Sequence, residues 1–181
     1  MVAPGGRGAG VPLALHRSPA AGFDEPFEML AACHERVERM LRLLQRLGGH
    51  LAEHGADTAA AEAARDLMRY FDQAAPQHHE DEERHVLPRL RAAGQGAAAD
   101  RIVAEHRQMA AAWQGLREQL VEIEQGRWAR AGAAPGAGFA ELYRAHVEHE
   151  DRVAFPVAAA ASDAPARAAM GAEMAARRGL R

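Results

Sequence analysis

The sequence predicts an all-α protein, an antiparallel up-down four-helix bundle with a short C-terminal fifth helix. Three observations predict it. Aromatic residues make up only 5% of the 181-residue chain, while alanine and straight-chain helix formers dominate and β-branched residues are sparse. Four long segments carry apolar residues at spacings of three and four, separated by glycine-bearing breaks. The second pair of segments also repeats the pattern of the first.

Residues 1–23 are expected to form a disordered N-terminal arm. The first 22 are Gly/Pro-rich and contain no acid, and their apolar patch "VPLAL" is shorter than a signal-peptide core. The bundle is expected over residues 24–161. Segment A, residues 24–47, starts at Asp24 as N-cap with Pro26 in the first turn and stops at Gly48-Gly49. Its inward stripe reads Phe27, Leu30, His34, Val37, Leu41, Leu44. The connector that follows holds His50 and His54, read as surface residues. Segment B, residues 58–93, contains Pro76 and Pro88 and turns Leu67, Phe71, Ala74, His78 and Glu82 inward, followed by Val86 or the Leu87/Leu90 side. Segment C, residues 97–125, gives Ile102, His106, Met109, Trp113, Leu116, Leu120 and Ile123. After a glycine-rich loop, segment D, residues 139–161, gives Phe139, Leu142, His146, Glu150, Val153 and Val157. Residues 162–181 read as a short helix and tail, capped by Ser162 or Asp163 and closed by Gly179.

Composition narrows the function. The formal charge of -3 gives no electrostatic case for nucleic acid or an acidic membrane as partner. No apolar run approaches the roughly 18 residues of a spanning helix. A single cysteine, Cys33, excludes an internal disulfide framework and fits a reducing cytoplasm.

The chemistry lies where the apolar stripes are interrupted. "HHEDEERHVLP" (78–88) and "HVEHEDRVAFP" (146–156) align without gaps, matching His78 with His146, Glu82 with Glu150, Glu83 with Asp151 and Pro88 with Pro156. "CHERVERML" and "EHRQMAAAW" likewise match His34 with His106. Residues four apart lie one turn apart on one helix face. Segments B and D therefore each direct a His-Glu pair inward, while A and C each direct one histidine. His34, His78, Glu82, His106, His146 and Glu150 converge as candidate metal ligands. A buried unpaired carboxylate costs several kcal/mol, and these stripes carry no lysine or arginine. Imidazole with carboxylate suits iron, with manganese and zinc as alternatives. Four histidines give two per ion, and two bridging glutamates with an oxo or hydroxo bridge leave one open position on each. Without metal, the glutamates are expected to lack balancing charge and to take up protons readily.

Shifting the register of segment B by one gives His79/Glu83. The His78/Glu82 register is preferred because the position matching His79 is Val147. His79 then falls about 100° away, outward or beside the ligands. His149 could line the cavity, Cys33 reads as a small buried thiol, and Met109 and Trp113 read as packing.

On these residues, over about 24–160, the chain resembles the hemerythrin-like, His-His-Glu cation-binding family. The resemblance implies a non-haem di-iron centre that binds or senses dioxygen, nitric oxide or iron. The oxygen carriers of marine worms have a second histidine where this chain has Ala110, and a helix-D aspartate at the spacing of Asp151. The pattern here is more similar to bacterial proteins implicated in repair of iron centres. The expected function is binding or sensing of a diatomic ligand or peroxide, or iron handling. A di-iron oxidase or peroxidase, and a zinc-filled or metal-free interaction bundle, are the alternatives.

Overall fold

The computed structural model describes residues 22–128 and 134–180. Its helices are α1 (Pro26–His54), α2 (Thr58–Asp81), α3 (Leu87–Ala92), α4 (Gly96–Glu124), α5 (Phe139–His149), α6 (Phe155–Ala160) and α7 (Ala164–Arg177). A π-helical turn, Glu82–Val86, joins α2 to α3, and a second, Glu150–Ala154, joins α5 to α6. Segments B and D are thus continuous helices with one wide turn each. The described residues contain no strand. Around the bundle, α1 packs on α2, α2 on α4, α4 on α5, and α5 closes loosely on α1. None of these helices is long and apolar enough to cross a membrane. The expected arm falls almost entirely on residues 1–21, outside the described residues, as does part of the loop before α5.

Local chemistry explains most boundaries. Asp57 caps α2 by accepting from the Ala60 amide at 2.9 Å, and Asp163 caps α7 by accepting from that of Ala166 at 2.8 Å. The first helix departs from the sequence reading at both ends. Its N-cap is Glu25 rather than Asp24, with no side-chain cap and Pro26 at its first turn. It runs straight through Gly48-Gly49 and stops at Gly55, whose φ is 75°. Two helical glycines cost about 1 kcal/mol each. Leu47 and Leu51, both buried, outweigh that cost by extending the core stripe one more turn. Gly48 also passes close to the loop before α5, since a Cβ there would lie 3.0 Å from that of Ala134.

The π turns account for a shift in the stripes. In segment B the residues that face inward are Phe71, Ala75, His78, Glu82, Val86 and Leu90; in segment D they are Phe139, Tyr143, His146, Glu150, Ala154 and Ala158. Ala75 and Tyr143, upstream of the π turns, stand in for the expected Ala74 and Leu142, and past the π turn of segment D Ala154 and Ala158 replace the expected Val153 and Val157. Beyond each glutamate the repeat is four residues, longer than the 3.6 of an α-helix. A wider turn absorbs the difference, closed by Leu87 N–H on the Glu82 carbonyl and Phe155 N–H on that of Glu150. Pro88 and Pro156 follow at once, and neither has an N–H with which to continue the π pattern.

Two apolar clusters sandwich a polar layer. One gathers Leu41, Leu44, Leu67, Phe71, Trp113, Phe139 and their neighbours. The other gathers Leu30, Val86, Leu90, Ile102, Phe155 and, from α7, Met170 and Met174. Helix α7 closes this end. It is held by Asp81, fully buried, which accepts from Arg177 and, at 2.7 Å, from Arg178.

Candidate metal centre

Between the two clusters, all six nominated side chains meet. His34, His78, His106 and His146 are at most 5% exposed, and Glu82 and Glu150 are fully buried. Glu82 faces both sides of the group. Its Oε1 lies 2.8 Å from His78 Nε2 and 3.9 Å from His34 Nε2, and its Oε2 lies 3.3 Å from His106 Nε2. Glu150 Oε2 is 3.2 Å from His34 Nε2 and 3.1 Å from His146 Nε2.

These atoms are close without being hydrogen-bonded. The Nε2 atoms of the four histidines and all carboxylate oxygens of Glu82 and Glu150 are buried and lack any hydrogen-bond partner. Such orphaned groups are costly unless something else satisfies them. Metal–ligand bonds of about 2.1 Å place neighbouring donors about 3 Å apart, which is the spacing found here. The outward nitrogens behave differently. His34 Nδ1 lies 2.9 Å from Asp151, His106 Nδ1 lies 2.8 Å from Glu83, and His146 Nδ1 lies 2.9 Å from Glu105. A carboxylate on Nδ1 fixes the tautomer that leaves Nε2 free to bind a cation. Asp151 therefore orients an imidazole, and Glu150 is the acid that turns inward.

The structure adds one residue to the nominated set. His79, expected to point outward or beside the ligands, turns toward α4 and stacks on His106 with ring centroids 4.1 Å apart. The donors divide into two groups, His34, His78, Glu82 and Glu150 in one, His79, Glu82, His106 and His146 in the other, each with its atoms within 4.8 Å of one another. Residues 100° apart on one helix can each serve when two positions lie side by side. His78 leans toward α1 and His79 toward α4. The adjacent pair "HH" is the sequence feature that places a histidine toward each side. His50 and His54 lie far off at the end of α1, with His50 Nε2 2.8 Å from Asp57. His149 has a buried Nε2 without a partner but belongs to neither group.

The charges differ from the sequence expectation. Burial opposes protonation of His34, but Asp151, Glu150 and Glu82 more than offset it and push it up to about 11. Burial likewise opposes charge on His78, which Glu82 pushes up to about 10. Burial would raise Glu82, yet His78, His106 and His34 hold its carboxyl well below the usual range. Glu82 is therefore shifted down rather than up, the reverse of the proton uptake expected from burial alone. Burial, helped by the charge of His106, drives His79 down to about 2, so it stays neutral and ready to donate a lone pair.

A family model, the hemerythrin HHE cation-binding domain, matches residues 25–158. The chain belongs to that family. It is also similar to an uncharacterized protein of Haemophilus influenzae, 37% identical over 105 residues. That match covers 57% of this chain and 61% of the relative, so the relative extends well beyond what the two share. Family and geometry agree on a buried His/Glu metal centre in a helical bundle.

Proposed function

We propose that the bundle binds two iron ions, with His34, His78 and the two glutamates around one and His79, His106, His146 and the glutamates around the other. The observation that carries this reading is the layer of orphaned Nε2 and carboxylate atoms, with Glu82 common to both groups and Glu150, of the first, 3.1 Å from His146 Nε2 of the second. Iron suits an imidazole-carboxylate set with bridging acids, and manganese and zinc are the competing occupants. When bound, the pair supplies redox-active Lewis acids able to take a small ligand. The role we infer is to bind or sense dioxygen, nitric oxide or peroxide, or to handle iron, in the cytoplasm. Binding is favoured over turnover because the chain's own acids are already engaged. Glu83, Glu105 and Asp151 each hold an imidazole. The phenol beside the group, Tyr143, is pushed up by burial and by Tyr70 and Glu82, so it retains its proton. Iron-replete expression without a histidine tag, followed by elemental analysis and optical spectroscopy with azide, nitric oxide and peroxide, tests the reading. About two irons per chain and ligand-dependent bands are expected. A protein that retains no iron, or takes only zinc, refutes it.

A further inference from the structure

The two hairpins are related by offsets of 72 residues between α1 and α4 and 68 between α2 and α5, so each residue at the centre has a counterpart. His34 matches His106 and Glu83 matches Asp151, down to the hydrogen bonds they make, and His78 matches His146 in position. The relation fails at two places, both on the same side. Glu105, which accepts from His146 Nδ1, has Cys33 as counterpart. His79, which adds a third imidazole to one group, has Val147 as counterpart.

The consequence falls on His78. Of the four matched imidazoles, it is the one whose Nδ1 is buried and unpartnered. The side chain it meets is the Cys33 thiol, whose hydrogen is aimed instead at Met29 Sδ, 3.7 Å away. A carboxylate on a ligating imidazole raises its basicity and locks its orientation, and its loss typically costs 10–100-fold in metal affinity. Val147, in turn, lines a groove of about 950 Å³ between α1 and α5 that reaches His34 and Asp151. The opposite face is filled by His79 stacked on His106.

We propose that the two metal positions are unequal by construction: the ion at His34 and His78 is the exchangeable one, Cys33 sets its weaker hold, and it leaves and enters through the α1–α5 groove. Cys33 acts here as a positioning residue through His78. The single-ion form is then a populated state, which makes partial loading a readable signal of metal supply. This rests on the dinuclear reading above.

Anaerobic titration of the metal-free chain with ferrous iron, in competition with a chromophoric chelator, tests it. Wild type should fill in two steps separated by about tenfold or more. Cys33→Glu gives His78 the missing carboxylate and should tighten the weaker step by about 10- to 100-fold while leaving the tighter one in place. A merely structural role for Cys33 would produce no such step-specific gain. Glu105→Cys, the mirror exchange, should weaken the tighter step and close the gap. It serves as the deciding variant if Cys33→Glu does not fold, as judged by circular dichroism. Two ions of equal affinity in wild type, or a Glu105→Cys protein that titrates like wild type, overturns the proposal while leaving the dinuclear reading intact. A chain that takes no iron overturns both.

Discussion

Replacing Glu82 by glutamine should destabilise the metal-free protein, and the size of the loss follows from its surroundings. Glu82 is fully buried, 2.8 Å from His78 Nε2 and 3.3 Å from His106 Nε2. It is held ionised by His78, His106 and His34, against the opposing pull of burial. Removing one partner of a buried ion pair costs about 3–5 kcal/mol. The lower figure applies here, because an imidazolium left without its anion can shed its proton. At about 2–4 °C per kcal/mol for a chain of this size, the metal-free melting temperature should fall by about 6–12 °C. The gap should be widest between roughly pH 4.5 and 6.5. A carboxyl lowered by folding contributes stability above its ordinary value and loses it as pH falls. Histidines raised by folding contribute below their ordinary value and lose it as pH rises toward about 10 for His78 and 11 for His34. Chelator-treated wild type and variant, melted side by side across this range and followed by circular dichroism, provide the assay. If the variant melts at or above wild type, Glu82 is an uncompensated charge in the metal-free core and the ion-pair account is wrong.

Metal uptake near neutral pH should expel protons from His34 and His78, with a further contribution from His146, which is also raised, and affinity should rise with pH. Calorimetry in buffers of different ionisation enthalpy reads this directly, and buffer-independent heats would contradict it. His78→Ala and His79→Ala should each bring bound iron down toward one ion per chain, because the two residues serve different positions. A His79→Ala protein that keeps two ions would reduce His79 to a stacking partner of His106. Asp81→Asn removes the buried anchor for Arg177 and Arg178. It should cost about 1.5–3 kcal/mol, measured as a lowered urea midpoint, with amides of α7 exchanging faster than those of α4. Gly171→Ala would drive a Cβ into the Phe23 carbonyl, so it should loosen α7 in the same exchange experiment.

How much of this was legible in the sequence depends on what each residue had to compete with. The four segments and their repeat were readable because the stripes of α1 and α4, from Leu30 to Leu44 and from Ile102 to Ile123, are regular and buried as expected. The meeting of His34, His78, Glu82, His106, His146 and Glu150 was readable because each interrupts such a stripe. The end of α1 was not, since Gly48-Gly49 is a sound local stop signal that the burial of Leu47 and Leu51 overrides. His79 was missed by assuming one inward direction per helix, which fails where α2 faces both α1 and α4. The charge of Glu82 was missed because it depends on distances to three histidines from three helices, which no single segment encodes. The π turns did leave a trace: the inward residues step by fours past each glutamate, and a proline follows six residues after it.

That trace also bears on how freely the two ends of the bundle can vary. A π turn holds one residue more than an α turn, so it rotates the helix beyond it relative to the helix before it. Both halves of this chain carry such a turn at the same offset, followed by the same proline. Each of the two glutamate-bearing helical segments therefore has two frames of rotation, one above its glutamate and one below. Mutations that repack the end under α7 can accumulate in the lower frame without turning the histidines of the upper one.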